Sequence, residues 1–337
     1  MEEIHKVKLF KIKILLIFCL IFYFIQMQVI SLRGNKISER ESGLSNEQLT
    51  IKEIRLWPTL EEISKSAAAE IDPIGFWLEV SWPMDWDKGE CEFLVNGQLT
   101  PAKEGGGGFG QGYYNQDFFI YAGQPGPKTI EVLFTSEKRK AKSIARADFS
   151  SSGGFVLLNS ADRELIDSPQ PLKFLSWLFK NCRVLINGNE QKLESREIFN
   201  GLQLLSCQPE FHPGLNQIYF SGLDFLGQLK EGSLIVFYAE GGKIKVGDRF
   251  SIKYDCFETK SSSIGLVAKG EAICFLDKPN RDNLVFNFEN NFLDYKSICL
   301  QPVEARAAGQ AIIKVVEFWW PGGEKILKEI KYEVQKK

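Results

Sequence analysis

The chain has 337 residues, 44% hydrophobic and 12% aromatic, with 41 Lys+Arg against 43 Asp+Glu for a formal net charge of -2. That length suits two or three domains, and the apolar content excludes a chain disordered along most of its length. The balanced charge has no clustered basic excess and excludes a nucleic-acid footprint; the run Lys138-Arg139-Lys140 with Lys142 reads as a solvated hairpin tip.

At the N-terminus, Lys6, Lys8, Lys11 and Lys13 precede an unbroken apolar run over residues 14–25. Basic residues stay on the cytoplasmic side while the apolar stretch enters the bilayer, so the following chain is expected to be exported. The run has the length of a signal-peptide core; extended past Gln26 and Gln28 to Leu32, it approaches the ~20 residues of a spanning helix. Residues 1–32 are therefore expected to form a hydrophobic helix, as a cleaved signal peptide or a retained membrane anchor. Either outcome places the remainder in the periplasm or at the cell surface. Residues 33–49 are polar and charged and read as a linker.

From residue 51 onward, short apolar runs alternate with turn residues. The stretches 76–82, 91–95, 118–121 and 129–134 are β-branched or aromatic, bounded by Gly, Pro and Asn, and predict strands. Local composition predicts a short helix over 60–69, and 172–179 fits either helix or strand. Phe93-Leu-Val-Asn-Gly97 recurs as Val184-Leu-Ile-Asn-Gly188, and Asn-Gly marks a hairpin because both residues accept positive φ. Further on, Pro125-Gly-Pro-Lys-Thr-Ile-Glu-Val132 recurs as Pro213-Gly-Leu-Asn-Gln-Ile-Tyr-Phe220 and again as Ala308-Gly-Gln-Ala-Ile-Ile-Lys-Val315. Gly126, Gly214 and Gly309 thus lie about ninety residues apart, the size of a small β-sandwich. The Ser150-Ser-Ser-Gly-Gly154 and Glu240-Gly-Gly-Lys243 clusters mark boundaries, giving domains at 50–150, 151–241 and 242–337. The final strand is expected over 326–334.

Through the two Asn-Gly strands and the 213–227 stretch, the chain resembles bacterial Ig-like repeat domains. The resemblance implies an all-β fold of tandem Ig-like β-sandwich domains after an N-terminal hydrophobic helix, acting as a recognition or spacer module. The last domain also resembles chagasin-type cysteine-peptidase inhibitors through Val246-Gly-Asp248, the Ser/Thr-rich loop 259–265, and residues 305–313 before Trp319-Trp320-Pro321. It lacks that family's asparagine-proline-threonine-threonine-glycine loop.

Chemistry is restricted by histidine, which occurs only at His5 and His212. A multi-histidine metal site is excluded in the exported part, and a triad would have only His212, which reads as a turn residue. Glu104-Gly-Gly-Gly-Gly-Phe-Gly-Gln-Gly112 lacks the Gly-Lys-Ser/Thr ending of a phosphate loop and reads as a flexible inter-strand loop, with Phe109, Tyr113 and Tyr114 offering a contact surface. Asp85, Asp87 and Glu90 alternate around a glycine as a calcium candidate, for which a polar turn is the plainer reading. Trp77 and Trp82, five residues apart, face opposite sides of a strand. Exposed indoles near loops suit stacking on sugars or a protein, so the binding candidates are Trp82, Trp86, Tyr113, Tyr114, Trp319 and Trp320. Cys182 and Cys207 are the first disulfide candidate, with free buried thiols as the alternative. The expected function is a non-enzymatic, cofactor-free envelope protein recognising or spacing a protein or glycan, with membrane contact through the N-terminal segment if it is uncleaved. The alternatives are a peptidase inhibitor acting through the last domain, or accessory β-domains of a carbohydrate-active system.

Overall fold

The computed structural model describes residues 49–57, 67–86, 89–137, 139–255, 262–280, 284–289, 292–319 and 322–337. Among them the regular elements are strands, two single-turn 3-10 segments, Met84–Trp86 and Glu240–Gly242, and one 3-10 residue at Ala67. The N-terminal segment 1–32 and most of the helix expected over 60–69 lie outside the described residues. No helix among the described residues is long and apolar enough to cross a membrane.

The first sandwich has one antiparallel sheet of β1 (Thr50–Trp57), β3 (Gly75–Pro83), β7 (Tyr113–Tyr121) and β6 (Ala102–Gly110), in that order. Facing it are β5 (Gln98–Thr100), β4 (Glu90–Val95), β8 (Gly126–Thr135) and β9 (Lys140–Phe149). Lettered in chain order, these are A-B-E-D against C′-C-F-G, the immunoglobulin arrangement. Alternation turns Phe76, Leu78, Val80 and Trp82 inward onto Phe93, Ile130, Val132 and Phe134, all buried.

The second sandwich repeats the scheme. One sheet runs β15 (Glu194–Phe199), β16 (Leu202–Cys207), β12 (Leu172–Trp177), β10 (Gly154–Leu157). The other runs β14 (Asn189–Glu190), β13 (Lys180–Ile186), β17 (Gly214–Leu223), β18 (Leu229–Tyr238). The ambiguous 172–179 segment is thus a strand at its start. One further strand, β2 (Ala68–Ile71), pairs antiparallel with β10. A segment numbered within 50–150 therefore extends the second sandwich, and residues 68–69, expected to end a helix, are strand.

The repeated motifs do the same work in both units. Asn96 and Asn187 have φ of 52° and 51°, followed by Gly97 and Gly188 at 79° and 84°. The Asn96 N–H donates to Thr129 O at 2.8 Å, and its Oδ1 accepts from Thr129 N–H at 2.8 Å. The Asn187 N–H likewise donates to Gln217 O, and its Oδ1 accepts from Gln217 N–H, both at 2.9 Å. Each asparagine pins its hairpin to the neighbouring strand, which opens at Gly126 or Gly214.

In the third sandwich, β19 (Lys243–Lys245) pairs parallel with β26 (Gly323–Gln335), followed by β25 (Gly309–Trp319) and β21 (Ser262–Lys269). Opposite lie β20 (Arg249–Asp255), β24 (Phe292–Ala305) and β22 (Ile273–Phe275), with β23 (Leu284–Glu289) also on β24. The place beside β20 that a first strand would fill is taken by β11 (Glu164–Ile166). This strand leaves the second sandwich between β10 and β12 and pairs parallel with both β18 and β20. The two sandwiches thereby share one nine-stranded sheet. β11 is clipped on both sides: Ile166 O accepts from Ala239 N–H at 2.8 Å, and Arg163 O accepts from Ser251 N–H at 2.7 Å.

The first two sandwiches also meet through an apolar contact. Trp57, Ile74 and Tyr121 of the first pack on Val156, Leu158, Leu175, Trp177, Leu178 and Leu202 of the second. Burial of this apolar area disfavours free swinging of one unit on the other.

Candidate functional site

The sequence-selected aromatics separate into two groups. Trp82 and Trp86 are 4% and 5% exposed. Trp82 lies between Tyr114 and Phe134, with ring centroids 5.0 and 5.2 Å away, and the 3-10 turn folds Trp86 under Phe134 at 5.5 Å. As core residues they are removed from the binding candidates. Trp77 does face the opposite side, where the Arg55 guanidinium lies 3.8 Å from its ring centre. Tyr113 and Tyr114 are half-buried, Trp319 is 38% exposed, and Trp320 lies outside the described residues.

What remains around Tyr113 and Tyr114 is the free edge of the first sandwich. The glycine-rich run, expected as a flexible loop, is strand β6, paired with β7 and carrying a bulge between Glu104 and Gly107. The bulge exposes carbonyls that Gln116 satisfies, its Nε2 donating to Gly105 O at 2.9 Å and Gly106 O at 3.3 Å. A Cβ on Gly107 would lie 2.4 Å from Gln116 Oε1, so a side chain there would displace the amide that caps the bulge. Gly108 and Gly110 have nothing within 4 Å of a built Cβ and no positive φ. The fold makes no demand for glycine there, although glycine in a strand weakens it.

Phe109 is 69% exposed and stands edge-on to Tyr114 at 4.7 Å. On the other face, Lys52 Nζ donates to Asn115 Oδ1 at 2.7 Å and lies 6.0 Å from the centre of the Tyr113 ring. Burial, and next the negative charge of Glu79, hold the Asp117 carboxyl above its usual pKa. The result is a strand edge whose second half carries Phe109 as its one side chain, beside a polar shelf. Lys103, Glu104 and the bulge guard the first half of β6 against strand pairing, whereas the other long edges, β1 and β9, carry charges along their length: Lys52, Glu53 and Arg55, or Lys140, Lys142 and Arg146.

Other candidates fare differently. Asp85 and Glu90 are exposed and Asp87 lies outside the described residues; no group of three His, Cys, Asp or Glu suited to a metal occurs among the described residues. His212 is exposed at the turn into β17, its backbone N–H donating to Asn216 Oδ1 at 3.0 Å. Cys182 and Cys207 are both free thiols, which overturns the expected bridge. They sit on strands of the two facing sheets and pack into the core as small apolar groups. Cys299, in the third sandwich, is disulfide-bonded. Residues 259–261 of the Ser/Thr-rich loop, which carried the chagasin resemblance, lie outside the described residues. Sequence reasoning missed Glu164, Lys253, Asp167, Lys328 and Tyr332, brought together where β11 joins two sandwiches.

Fold and site together define an all-β protein of tandem Ig-like sandwiches with one strand edge half bare of side chains. No family model matches the chain, and no curated protein matches it in sequence. Among solved structures it is similar to dimeric latent PorU from Porphyromonas gingivalis, at TM-score 0.32 and 10% identity over 87% of this chain and 34% of that one. It is similar to tandem immunoglobulin domains of titin at TM-score 0.21 and 9% identity, over 49% of this chain and 89% of that one. A third is a Bacteroides ovatus protein of a mixed-linkage glucan utilization locus, SGBP-B, in complex with a mixed-linkage heptasaccharide: TM-score 0.17 and 12% identity, over 89% of this chain and 69% of that one. None of these likenesses bears on the site.

Proposed function

We propose that the chain is an exported, non-enzymatic recognition protein of the cell envelope that presents the β6 edge to a protein or glycan partner. The supporting observation is the pair Gly108 and Gly110, glycines the fold does not require, beside the exposed Phe109 ring. Bare backbone lets another molecule approach closely, and an exposed aromatic supplies apolar area with little ordering cost. The packed contact between the first and second sandwiches then gives the edge a stiff mount.

The test uses immobilised residues 33–337 against envelope and cell-wall fractions and a glycan array. Phe109→Ala and Gly108→Lys are expected to retain the wild-type unfolding midpoint within about 2 °C, because both positions are open. Each is expected to lower partner retention about tenfold. Unchanged retention in both variants would sink this assignment.

A further inference from the structure

β11 covers only Glu164–Ile166, so it closes the third sandwich incompletely. The gap is a cavity of about 260 Å³ between the second and third sandwiches. Sites for drug-sized ligands occupy roughly 300–1,000 Å³, so this one suits a smaller molecule. Part of its wall is apolar, from Ile252 and Ile330.

Its polar lining is partly committed already. Glu164 and Lys253 pair at 2.6 Å, and Glu164 Oε2 also accepts from Ala161 N–H at 2.9 Å. Four groups are not committed, the amide of the exposed Gln170 among them. Tyr332 lines the cavity and is 5% exposed, yet its hydroxyl has no hydrogen-bond partner among the described residues. Its ring is packed in the core while its hydroxyl opens on the cavity, where it can donate to a molecule that fills that space. Burial, and next the charge of Asp167, raise its pKa, so it remains a donor. Lys328 lines the cavity and pairs with no described residue. Asp167 accepts only a 3.4 Å hydrogen bond from Ser168 and forms no ion pair with Lys328.

A free cation, a free anion and an unpaired donor therefore share one small, partly apolar space. We infer that this cavity binds a small zwitterion of the α-amino acid class, its carboxylate held by Lys328 and Tyr332, its ammonium by Asp167, and its side chain against Ile252 and Ile330. Both charges on one ligand are needed to satisfy both walls, since a simple carboxylate leaves Asp167 facing an anion and a simple amine leaves Lys328 facing a cation. This site is separate from the β6 edge, and its test is independent of the proposed partner.

Residues 33–337 are titrated by calorimetry with each of the twenty L-amino acids, then with the methyl ester and N-acetyl derivative of the best binder, and with glucose. At least one free amino acid is expected to bind saturably and to raise the unfolding midpoint. Ester and N-acetyl derivatives should bind about tenfold or more weakly, as should the free amino acid to Lys328→Met and to Asp167→Asn. Both substituted positions are exposed, so both variants should unfold at the wild-type midpoint, and Tyr332→Phe removes only the hydroxyl. No saturable binding by any amino acid overturns the proposal. So does equal binding of the blocked derivatives, affinity unchanged in both charge variants, or binding of glucose in preference.

Discussion

Replacing Glu164 with alanine tests whether β11 binds the second and third sandwiches into one cooperative unit. The carboxylate holds Lys253 Nζ at 2.6 Å, the Ala161 N–H at 2.9 Å and the Ser160 hydroxyl at 3.3 Å. Hydrogen bonds to a charged group contribute about 1.5–3 kcal/mol each when buried. The side chains of Glu164 and Lys253 are 11% and 26% exposed, so Lys253 regains water on loss of its partner and the ion pair contributes near the surface value of about 1 kcal/mol. The orphaned Ala161 N–H adds about 1–2 kcal/mol, giving a total of about 2–3 kcal/mol. For a unit of 150–250 residues, where 1 kcal/mol moves the midpoint by about 2–4 °C, the unfolding midpoint should fall by roughly 5–10 °C. Scanning calorimetry of residues 33–337 gives the shift, and hydrogen exchange at Ser251 on β20 and Ile235 on β18 shows whether both sides loosen together. A double-mutant cycle with Lys253→Met isolates the pair. A midpoint change under about 1 °C, or faster exchange on one side of β11 only, would refute the view that this strand couples the two units.

Three further outcomes follow from the same geometry. Asn187→Ala removes both the side-chain acceptor for Gln217 N–H and a residue tolerant of positive φ; a loss of about 1–2 kcal/mol in urea unfolding is expected, and a neutral result would show that the turn is not pinned this way. Trp82→Ala should cost about 3–5 kcal/mol while Phe109→Ala changes stability by less than about 0.5 kcal/mol, and similar values for the two would contradict their placement in the core and on the rim. The third concerns thiols: burial, and next Glu104, push Cys91 up to about 12, and burial pushes Cys207 up to about 11, from 9.0. Because the folded state favours the protonated thiols, their contribution is complete below pH 9.0 and is lost as pH rises toward about 11–12. Alkylation of both at pH 8 should be slower than in urea by about 100-fold or more, and Cys91→Val should flatten the alkaline fall in stability; native-state modification at the unfolded rate would remove this reading.

Local turn chemistry was readable because it needs few neighbours. Asn96-Gly97 and Asn187-Gly188 announce a positive-φ hairpin from two residues each, and the structure uses both identically. The glycine run misled because bare backbone looks like loop, whereas its pairing depends on Gln116, which reaches across from β7. Alternation placed Trp77 and Trp82 on opposite faces but carries no sign, so it could not say which face is interior; Phe134 on the opposing sheet decides that. Trp86 lies beyond the strand, where a 3-10 turn breaks the alternation. β2 and β11 are four and three residues long, too short for any periodicity, and their partners are distant in sequence. The cavity joins Asp167 to Lys328 and Tyr332 across the interlock, a juxtaposition with no local trace.

The interlock also changes what a spacer of such sandwiches can do. Units joined by a polar linker alone pivot freely, so a partner held at one end gains no fixed orientation from the other. Here the second and third sandwiches share backbone pairing through β11, and the first docks on the second through Trp57, Tyr121 and Trp177. Motion between the second and third units must break parallel pairing at Glu164, which is where the cavity lies. A ligand there would contact β11, β20 and β26 at once, and by binding only the closed arrangement it would add its own free energy to the junction. The β6 edge lies beyond one further interface, on the first sandwich. Its affinity for a partner therefore stays the same when the cavity fills, and what stiffens is the angle between that edge and the third sandwich.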